Sequence, residues 1–242
     1  MVGVSVMMFY DFMKIFITSG GTKVPIDEVR AITNNSKGTY AAAIASRFAE
    51  RLHPKKDHLY FSYSKDSMHP AKNYPQGFFY ELVGASFNDY VYETYNEYVD
   101  KNIALIESIQ PDIIISAAAV SDYDLAPTEG KMDSGDELIL KLTRTKKVIP
   151  LMRQKAPKAM IIGFKLLVAP SYEQVQSAVR KVLNNGADYV VYNDLRELRK
   201  GNPQRLIFSK DLSFQIAPTA SALVDIVRNL YEQKQITVGV DG

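Results

Sequence analysis

The chain has 242 residues, 29 Lys and Arg against 27 Asp and Glu, a formal net charge of +2 and no cysteine. That length fits one large α/β domain with a buried core, and the balanced charge argues against nucleic acid as a partner. Without cysteine there is no disulfide framework or thiolate metal site, which suits the reducing cytoplasm; no apolar run reaches the roughly 18 residues of a membrane span.

Residues 1–12 are apolar but lack a basic start and a small-residue cleavage site, so they read as an N-terminal extension rather than a signal peptide. Residues 14–17 read as a short buried strand and residues 41–52 as a helix. Between them lies Thr18-Ser19-Gly20-Gly21-Thr22. A strand that runs into a Gly-Gly turn and then a helix is a phosphate-cradling arrangement, because glycine lets the backbone approach an anion and free N–H groups face it. The turn is neither a G-x-G-x-x-G fingerprint nor a Walker loop, and taken alone it fits a structural turn equally well.

Residues 59–63 read as the second strand, 69–77 with Pro70 and Pro75 as a loop, and 79–83 as a third strand. Ser86, with Asp89 three residues on, reads as the cap of a long helix to Ile109. Val91, Tyr95, Tyr98, Val99, Ile103 and Ile106 follow helical spacing along it. Residues 113–120 are a continuous apolar run suited to a central parallel strand. Residues 121–147, interrupted by Pro127, Gly130 and Gly135, read as a mobile flap followed by a strand over 137–142 that returns to the sheet. Lys131 sits on the flap and Arg144, Lys146 and Lys147 cluster at its return, a pattern that a solvated surface also produces.

Helices follow near 147–154 and 171–185, the second stopped by Asn184-Asn185-Gly186. Strands are read at 159–164 and 189–192, an antiparallel hairpin over 206–208 and 213–216, and a closing helix over 220–231. The fold class is therefore α/β: a doubly wound, mostly parallel Rossmann-like sheet with an antiparallel edge hairpin. It forms a single domain over 13–235, with a tail over 236–242. In such a sheet ligands sit beyond the carboxyl ends of the strands. Gly20 and Gly21, Ala118, Asp122 and Tyr123, Phe164 and Lys165, and Asn193 and Asp194 all converge there.

The run Ile26-Asp27-Glu28-Val29-Arg30-Ala31-Ile32-Thr33-Asn34-Asn35-Ser36-Lys37-Gly38, together with the Gly-Gly turn, resembles the signature of phosphopantothenate–cysteine ligase. The resemblance continues in Ala117-Ala118-Ala119-Val120-Ser121-Asp122-Tyr123, Glu129-Gly130-Lys131-Met132, Ile162-Gly163-Phe164-Lys165-Leu166 and Ala187-Asp188-Tyr189-Val190-Val191-Tyr192-Asn193-Asp194. The blocks stand in the family's order over roughly residues 13 to 235. The chain looks like the stand-alone form, without the flavin-dependent decarboxylase domain, and a separate decarboxylase is a candidate partner.

What the resemblance implies is the joining of 4′-phosphopantothenate to L-cysteine through an acyl-nucleotide made from CTP or ATP, with CTP favoured. By the same resemblance Mg²⁺ would bridge the phosphates, with no dedicated protein cage expected, and a homodimer is expected. Apolar interface area would come from the Tyr-bearing long helix or from the Phe208–Phe214 hairpin. By resemblance Asn34 holds the acyl-nucleotide and Lys131 neutralises phosphate charge. Arg30 meets the substrate phosphate. Ser19, Gly20, Gly21, Thr22, Ala117, Ala118, Asp122, Arg144, Phe164 and Lys181 meet the nucleotide, with Phe164 against the base. Phe164-Lys165-Leu166 departs from the alanine-rich run of fused bacterial members, and Asn35 and Lys37 replace a histidine and a serine. Two competing readings are a short-chain NAD(P)-dependent oxidoreductase and a non-catalytic nucleotide-binding subunit. The first would need a Tyr-x-x-x-Lys pair beside the site, and only Tyr10 and Lys14 have that spacing. His53, His58 and His69 show no metal-ligand spacing.

Overall fold

Ile15, Phe16 and Ile17 are each fully buried, the odd pair against one layer of helices and Phe16 against another. This is how a central strand of a two-sided sheet reads in sequence. The computed structural model describes residues 12–53, 56–133, 135, 137–201 and 204–240, without side chains at 85 and 237–240. In chain order its elements begin with β1 (Lys14–Ser19), β2 (Lys23–Pro25), β3 (Ala31–Thr33), α1 (Thr39–Ala49), β4 (His58–Ser64), α2 (Phe78–Val83), β5 (Phe87–Tyr92) and α3 (Tyr95–Ile109). They continue with β6 (Ile113–Ser116), β7 (Tyr123–Asp124), β8 (Thr143–Arg144), α4 (Val148–Lys155), β9 (Met160–Leu167) and α5 (Tyr172–Asn184). The last are β10 (Tyr189–Asp194), α6 (Leu195–Arg199), β11 (Arg205–Phe208), β12 (Phe214–Ala217) and α7 (Ala220–Val240).

The main sheet has the order β12-β11-β10-β9-β6-β1-β4-β5. The six strands from β10 to β5 are parallel, and β11 and β12 add an antiparallel edge. Residues from α1, α2 and α7 pack on the face of Ile15, Ile17, Ile113, Ile115 and Ile162. Residues from α3, α4 and α5 pack on the face of Phe16, Ile114 and Ile161. The doubly wound α/β class expected from the sequence is the one observed. Two short ribbons, β2 with β3 and β7 with β8, stand outside the main sheet.

Three elements differ from the sequence reading. Residues 79–83, expected as a strand, lie in α2. Phe79 and Val83 are buried while Glu81 between them is exposed; a strand would put all three on one face, whereas a helix separates Glu81 from the i,i+4 pair. The third strand is instead β5, paired to β4 with Leu59 opposite Phe87, so the long helix does not start at Ser86. It starts at Tyr95, where the Thr94 side chain accepts from the Glu97 N–H at 3.2 Å and Glu97 accepts from the Glu93 N–H. Finally, residues 137–142 form no strand. Leu138 and Ile139 are exposed, and the return limb reaches only the small ribbon, with Arg144 opposite Tyr123.

The tyrosine face of α3 also turns inward: Tyr95 and Tyr98 are buried in the core and supply no exposed area. The closing helix runs on to Val240, through the start of the expected tail. The extension expected over 1–12 lies outside the described residues except for Phe12. Among the described residues no helix is long and apolar enough to cross a membrane.

Candidate functional site

The strand order reverses between β1 and β6: from β1 the chain builds outward through β4 and β5, and from β6 through β9 and β10. A crevice therefore opens beyond the carboxyl ends of β1 and β6. The two loops that wall it are bonded to one another. The Ala119 N–H donates to Gly20 O at 2.7 Å and the Thr22 N–H to Ala119 O at 3.3 Å. The Ser121 N–H donates to the Thr22 hydroxyl at 2.9 Å and the Ala118 N–H to the Thr18 hydroxyl at 3.3 Å. Two buried phenols support this floor from α3 and β5: Tyr98 donates to the Thr18 hydroxyl and Tyr92 to Ser19 O. Burial raises both phenols, Tyr98 to about 12, so both stay protonated donors at neutral pH.

The glycines of the turn are explained by packing against protein. Gly20 has φ +86, and a Cβ there would overlap the Ser64 hydroxyl and lie 2.7 Å from Ser67 Cβ. A Cβ on Gly21 would lie 2.9 Å from Asn34 O. The missing side chains thus face Ser64, Ser67 and Asn34, so glycine here serves close loop packing, the structural role that the turn alone left open.

Asn34 follows β3 and closes one wall. Its Nδ2 donates to Ala119 O at 2.7 Å, which ties the Asn-Asn-Ser-Lys-Gly run to the loop after β6. Around it lies a cleft of about 280 Å³ lined by Val24, Ile32, Asn34, Val120, Ser121, Asp122, Tyr123 and Leu142. Small-molecule pockets start at roughly 300 Å³, so this cleft is just below the size that encloses a whole small molecule.

The return limb of the flap is fastened to the same loop. The Thr145 hydroxyl donates to Ser121 O at 2.7 Å and the Thr145 N–H to Asp122 O at 3.1 Å. Lys147 pairs with Asp122 at 2.5 Å, with both side chains more than half exposed. An exposed pair of this kind contributes about 0–1 kcal/mol, so either partner can turn to a ligand at little cost.

Ser19, Gly20, Gly21, Thr22, Asn34, Ala117, Ala118, Asp122 and Arg144 are therefore brought to one crevice. Phe164 is one residue beyond the Ser116–Gly163 pairing of β6 and β9 and packs, like Ala117, against the α1-side core. Its ring meets Tyr40 edge-on with centroids 6.3 Å apart. Two candidates are placed otherwise. Arg30, expected at the substrate phosphate, turns inward: its Nε and Nη2 donate to Asp27 and Nη2 also to Met132 O. Lys181 lies in the last turn of α5, a helix that runs back from the rim to the amino ends of the strands. Nine residues of helix put it about 13 Å from the crevice end, at 1.5 Å per residue. Lys131 is exposed, and the residues on both sides of it are bonded to the β2–β3 turn.

The sequence reading missed Asp27, Tyr92 and Tyr98 as parts of the site. Asp27 carried a signal in its i,i+3 spacing to Arg30 and in the turn-forming habit of aspartate. The tyrosines carried none, since a buried tyrosine on a packed face looks like any core residue. Lys14, half of the pair that a hydride-transferring reading would need, opens β1 at the end opposite the crevice and donates to Ile109 O. Among the described residues no group of three or more potential metal ligands occurs. Asp122, a carboxylate of the cleft, rests against Lys147 in an exposed pair.

An open α/β sheet with a crevice at its strand-order reversal defines a class of small-molecule-binding proteins. Within that class the chain belongs to the family described as the DNA/pantothenate metabolism flavoprotein C-terminal domain, which it matches over residues 11–52 and 94–239. It is 30% identical over 190 residues to the coenzyme A biosynthesis bifunctional protein CoaBC of Methanocaldococcus jannaschii, covering 75% of this chain and 40% of the relative. To the CoaBC of Thermococcus kodakarensis it is 27% identical over 202 residues, 83% of this chain and 46% of the relative. The chain thus spans less than half the length of these curated relatives. In fold it is similar to the DNA/pantothenate metabolism flavoprotein of Streptococcus pneumoniae, with TM-score 0.75 and 23% identity over 92% of this chain and 99% of the other. It is similar also to a Cab2 variant in complex with phosphopantothenate-cysteine, with TM-score 0.78 and 19% identity over 94% of this chain and 89% of the other.

Proposed function

We propose that this chain is a phosphopantothenate–cysteine ligase driven by a nucleoside triphosphate, CTP in preference to ATP. A carboxylate is a poor acyl donor because its oxygen leaves poorly. The carboxylate of 4′-phosphopantothenate attacks the α-phosphorus, the bond to the bridging β-phosphate oxygen breaks, and pyrophosphate departs. The amine of cysteine then attacks the acyl carbon, and the nucleoside monophosphate leaves with the electrons of the C–O bond while the amine proton passes to solvent. Such chemistry is accelerated mainly by positioning and charge neutralisation. Mg²⁺ brought with the nucleotide would supply further charge neutralisation there.

Asn34 carries this reading. Its amide nitrogen has two protons; one is fixed on Ala119 O, and because the residue lines the cleft the other is available there as a donor that does not titrate. In this scheme it holds the acyl-nucleotide while cysteine attacks. Lys131 and Arg144 neutralise phosphate charge, and the 117–122 loop receives the nucleotide. Membership of the family and 30% identity to a bifunctional coenzyme A biosynthesis protein support the assignment. Assembly as a homodimer fits Phe214 and Ile216, apolar and exposed on edge strand β12; light scattering that finds a fully active monomer at micromolar concentration removes it.

The test is pyrophosphate release with CTP or ATP, with and without 4′-phosphopantothenate and cysteine. A burst of pyrophosphate is expected with nucleotide and 4′-phosphopantothenate before cysteine is added. Release of phosphate in its place overturns the mechanism, and nucleotide binding without turnover returns the chain to a binding module.

A further inference from the structure

The segment that carries Lys131 is tied to the turn between β2 and β3 at four points. The Thr128 N–H donates to Ile26 O at 2.9 Å and the Glu28 N–H to Gly130 O at 3.2 Å. The Met132 N–H donates to Asp27 Oδ2 at 3.1 Å, and Arg30 Nη2 donates to Met132 O at 2.8 Å. The last two depend on Asp27. Its carboxylate has no solvent exposure. Oδ1 accepts from the N–H groups of Val29 at 2.9 Å and Arg30 at 2.6 Å, and Oδ2 accepts from Arg30 Nε, Arg30 Nη2 and Met132 N. The Arg30 guanidinium, helped by these backbone donors, holds the carboxyl far below the usual carboxylate range, so it is ionised at neutral pH. All the groups around this carboxylate are donors, and two of the tied residues, Gly130 and Met132, flank Lys131 directly. The same ribbon supplies Val24 and Ile32 to the cleft wall.

We propose that Asp27 is a positioning residue: with Arg30 as its arm, it fixes the Met132 backbone next to Lys131 on the ribbon that walls the cleft, so that the ammonium group is presented before substrate arrives. The proposal rests on the ligase reading for what Lys131 does. It differs from that reading in giving Arg30 and Asp27 the task of holding the flap, not of touching phosphate. A preformed flap matters because a displacement of only ~1 Å in a charge-neutralising group lowers rates on the order of 100-fold.

Three variants test it: Asp27→Asn, Lys131→Gln and the two combined. Asparagine keeps the size but places an amide among donors and removes the charge that Arg30 needs. Asp27→Asn is expected to lower kcat by on the order of 100-fold and to leave the KM for cysteine within about twofold. The double variant should be no slower than Lys131→Gln alone, because a residue that works through Lys131 has nothing left to position. Effects that multiply overturn the proposal. A Lys131→Gln enzyme as fast as the unaltered one also overturns it, although ligase activity stands. If the unaltered chain makes no pyrophosphate, the ligase reading has failed and the clamp is judged separately, by trypsin. Cleavage after Lys131 should then be several-fold faster in Asp27→Asn than in the unaltered protein, and equal rates overturn the clamp whatever the activity. Should Asp27→Asn not fold, Arg30→Lys, which keeps the charge but loses the two-pronged contact, is read by the same assays against the same outcomes.

Discussion

Replacing Gly20 with alanine separates two reasons for a glycine. At φ +86 any side chain is strained, and the Cβ would also overlap the Ser64 hydroxyl and press on Ser67 Cβ at 2.7 Å. The backbone strain is worth about 1–2 kcal/mol. Overpacking in a site with no free volume adds about 1–3 kcal/mol. The sum is about 2–5 kcal/mol, or a fall in Tm of roughly 4–20 °C at 2–4 °C per kcal/mol for a domain of this size. Gly130 is the control: its φ is +71 but nothing lies within 4 Å of its would-be Cβ. Gly130→Ala carries only the strain, partly offset by about 0.4–1 kcal/mol from a stiffer unfolded chain, so its Tm should fall by no more than about 6 °C. Both are read by circular dichroism on heating and by urea titration. Equal losses in the two variants would refute the packing argument and leave Gly20 as a residue chosen for its backbone angle alone.

Asn34→Asp puts a carboxylate oxygen against Ala119 O and removes the donor aimed at the acyl-nucleotide; product formation should drop about 100- to 1,000-fold, as for loss of an oxyanion-hole donor, with nucleotide affinity much less changed by calorimetry. Thr94→Ala deletes the cap of α3 and should destabilise the fold by about 0.5–2 kcal/mol in urea titration, whereas Ser86, at the start first read from the sequence, should behave as no cap at all. Asp27, whose folded-state carboxyl lies below its unfolded value, contributes stability that is complete above about pH 4 and is lost as the pH falls through the lower folded value. The Tm should therefore decline below about pH 4, and less steeply in Asp27→Asn by one proton's worth of linkage.

The parallel core was legible because burial on both faces imposes unbroken apolar runs, as in Ile113-Ile114-Ile115. The hairpin over 205–217 was equally plain, being bounded by polar turn residues. The region from Phe78 to Tyr92 was not. Phe, Tyr, Leu and Val suit a strand by propensity, and only the exposure of Glu81 between buried Phe79 and Val83 gives the helix away. Edge strand β5 is covered on one side only, so its alternation was taken for part of a helix, and the Thr94–Glu97 start signal was passed over for Ser86–Asp89 eight residues earlier. At the site, the loops that contact one another after β1 and β6 were legible, because strand ends converge by rule. The partner of Arg30 was not: an arginine in a motif does not announce whether it meets a ligand or an aspartate three residues away. Lys181 shows the complementary limit, since the helix that carries it was recognised but not which of its ends meets the rim.

The two phenols beneath the crevice make the protein its own spectroscopic instrument. There is no tryptophan among 242 residues and there are 15 tyrosines, so near-ultraviolet dichroism comes from phenols without an indole to mask them. Tyr92 and Tyr98 are rigid, buried and bonded directly to Ser19 O and the Thr18 hydroxyl. Any ligand that shifts the loop after β1 changes the asymmetric field these two rings feel. Because Tyr98 is pushed up to about 12, it keeps its neutral absorption at alkaline pH, where exposed tyrosines near 10 ionise and move to longer wavelength. Tyr40 and Tyr74 are pushed up to about 12 as well, so working there separates the signal of the buried phenols, the crevice floor among them, from that of the surface.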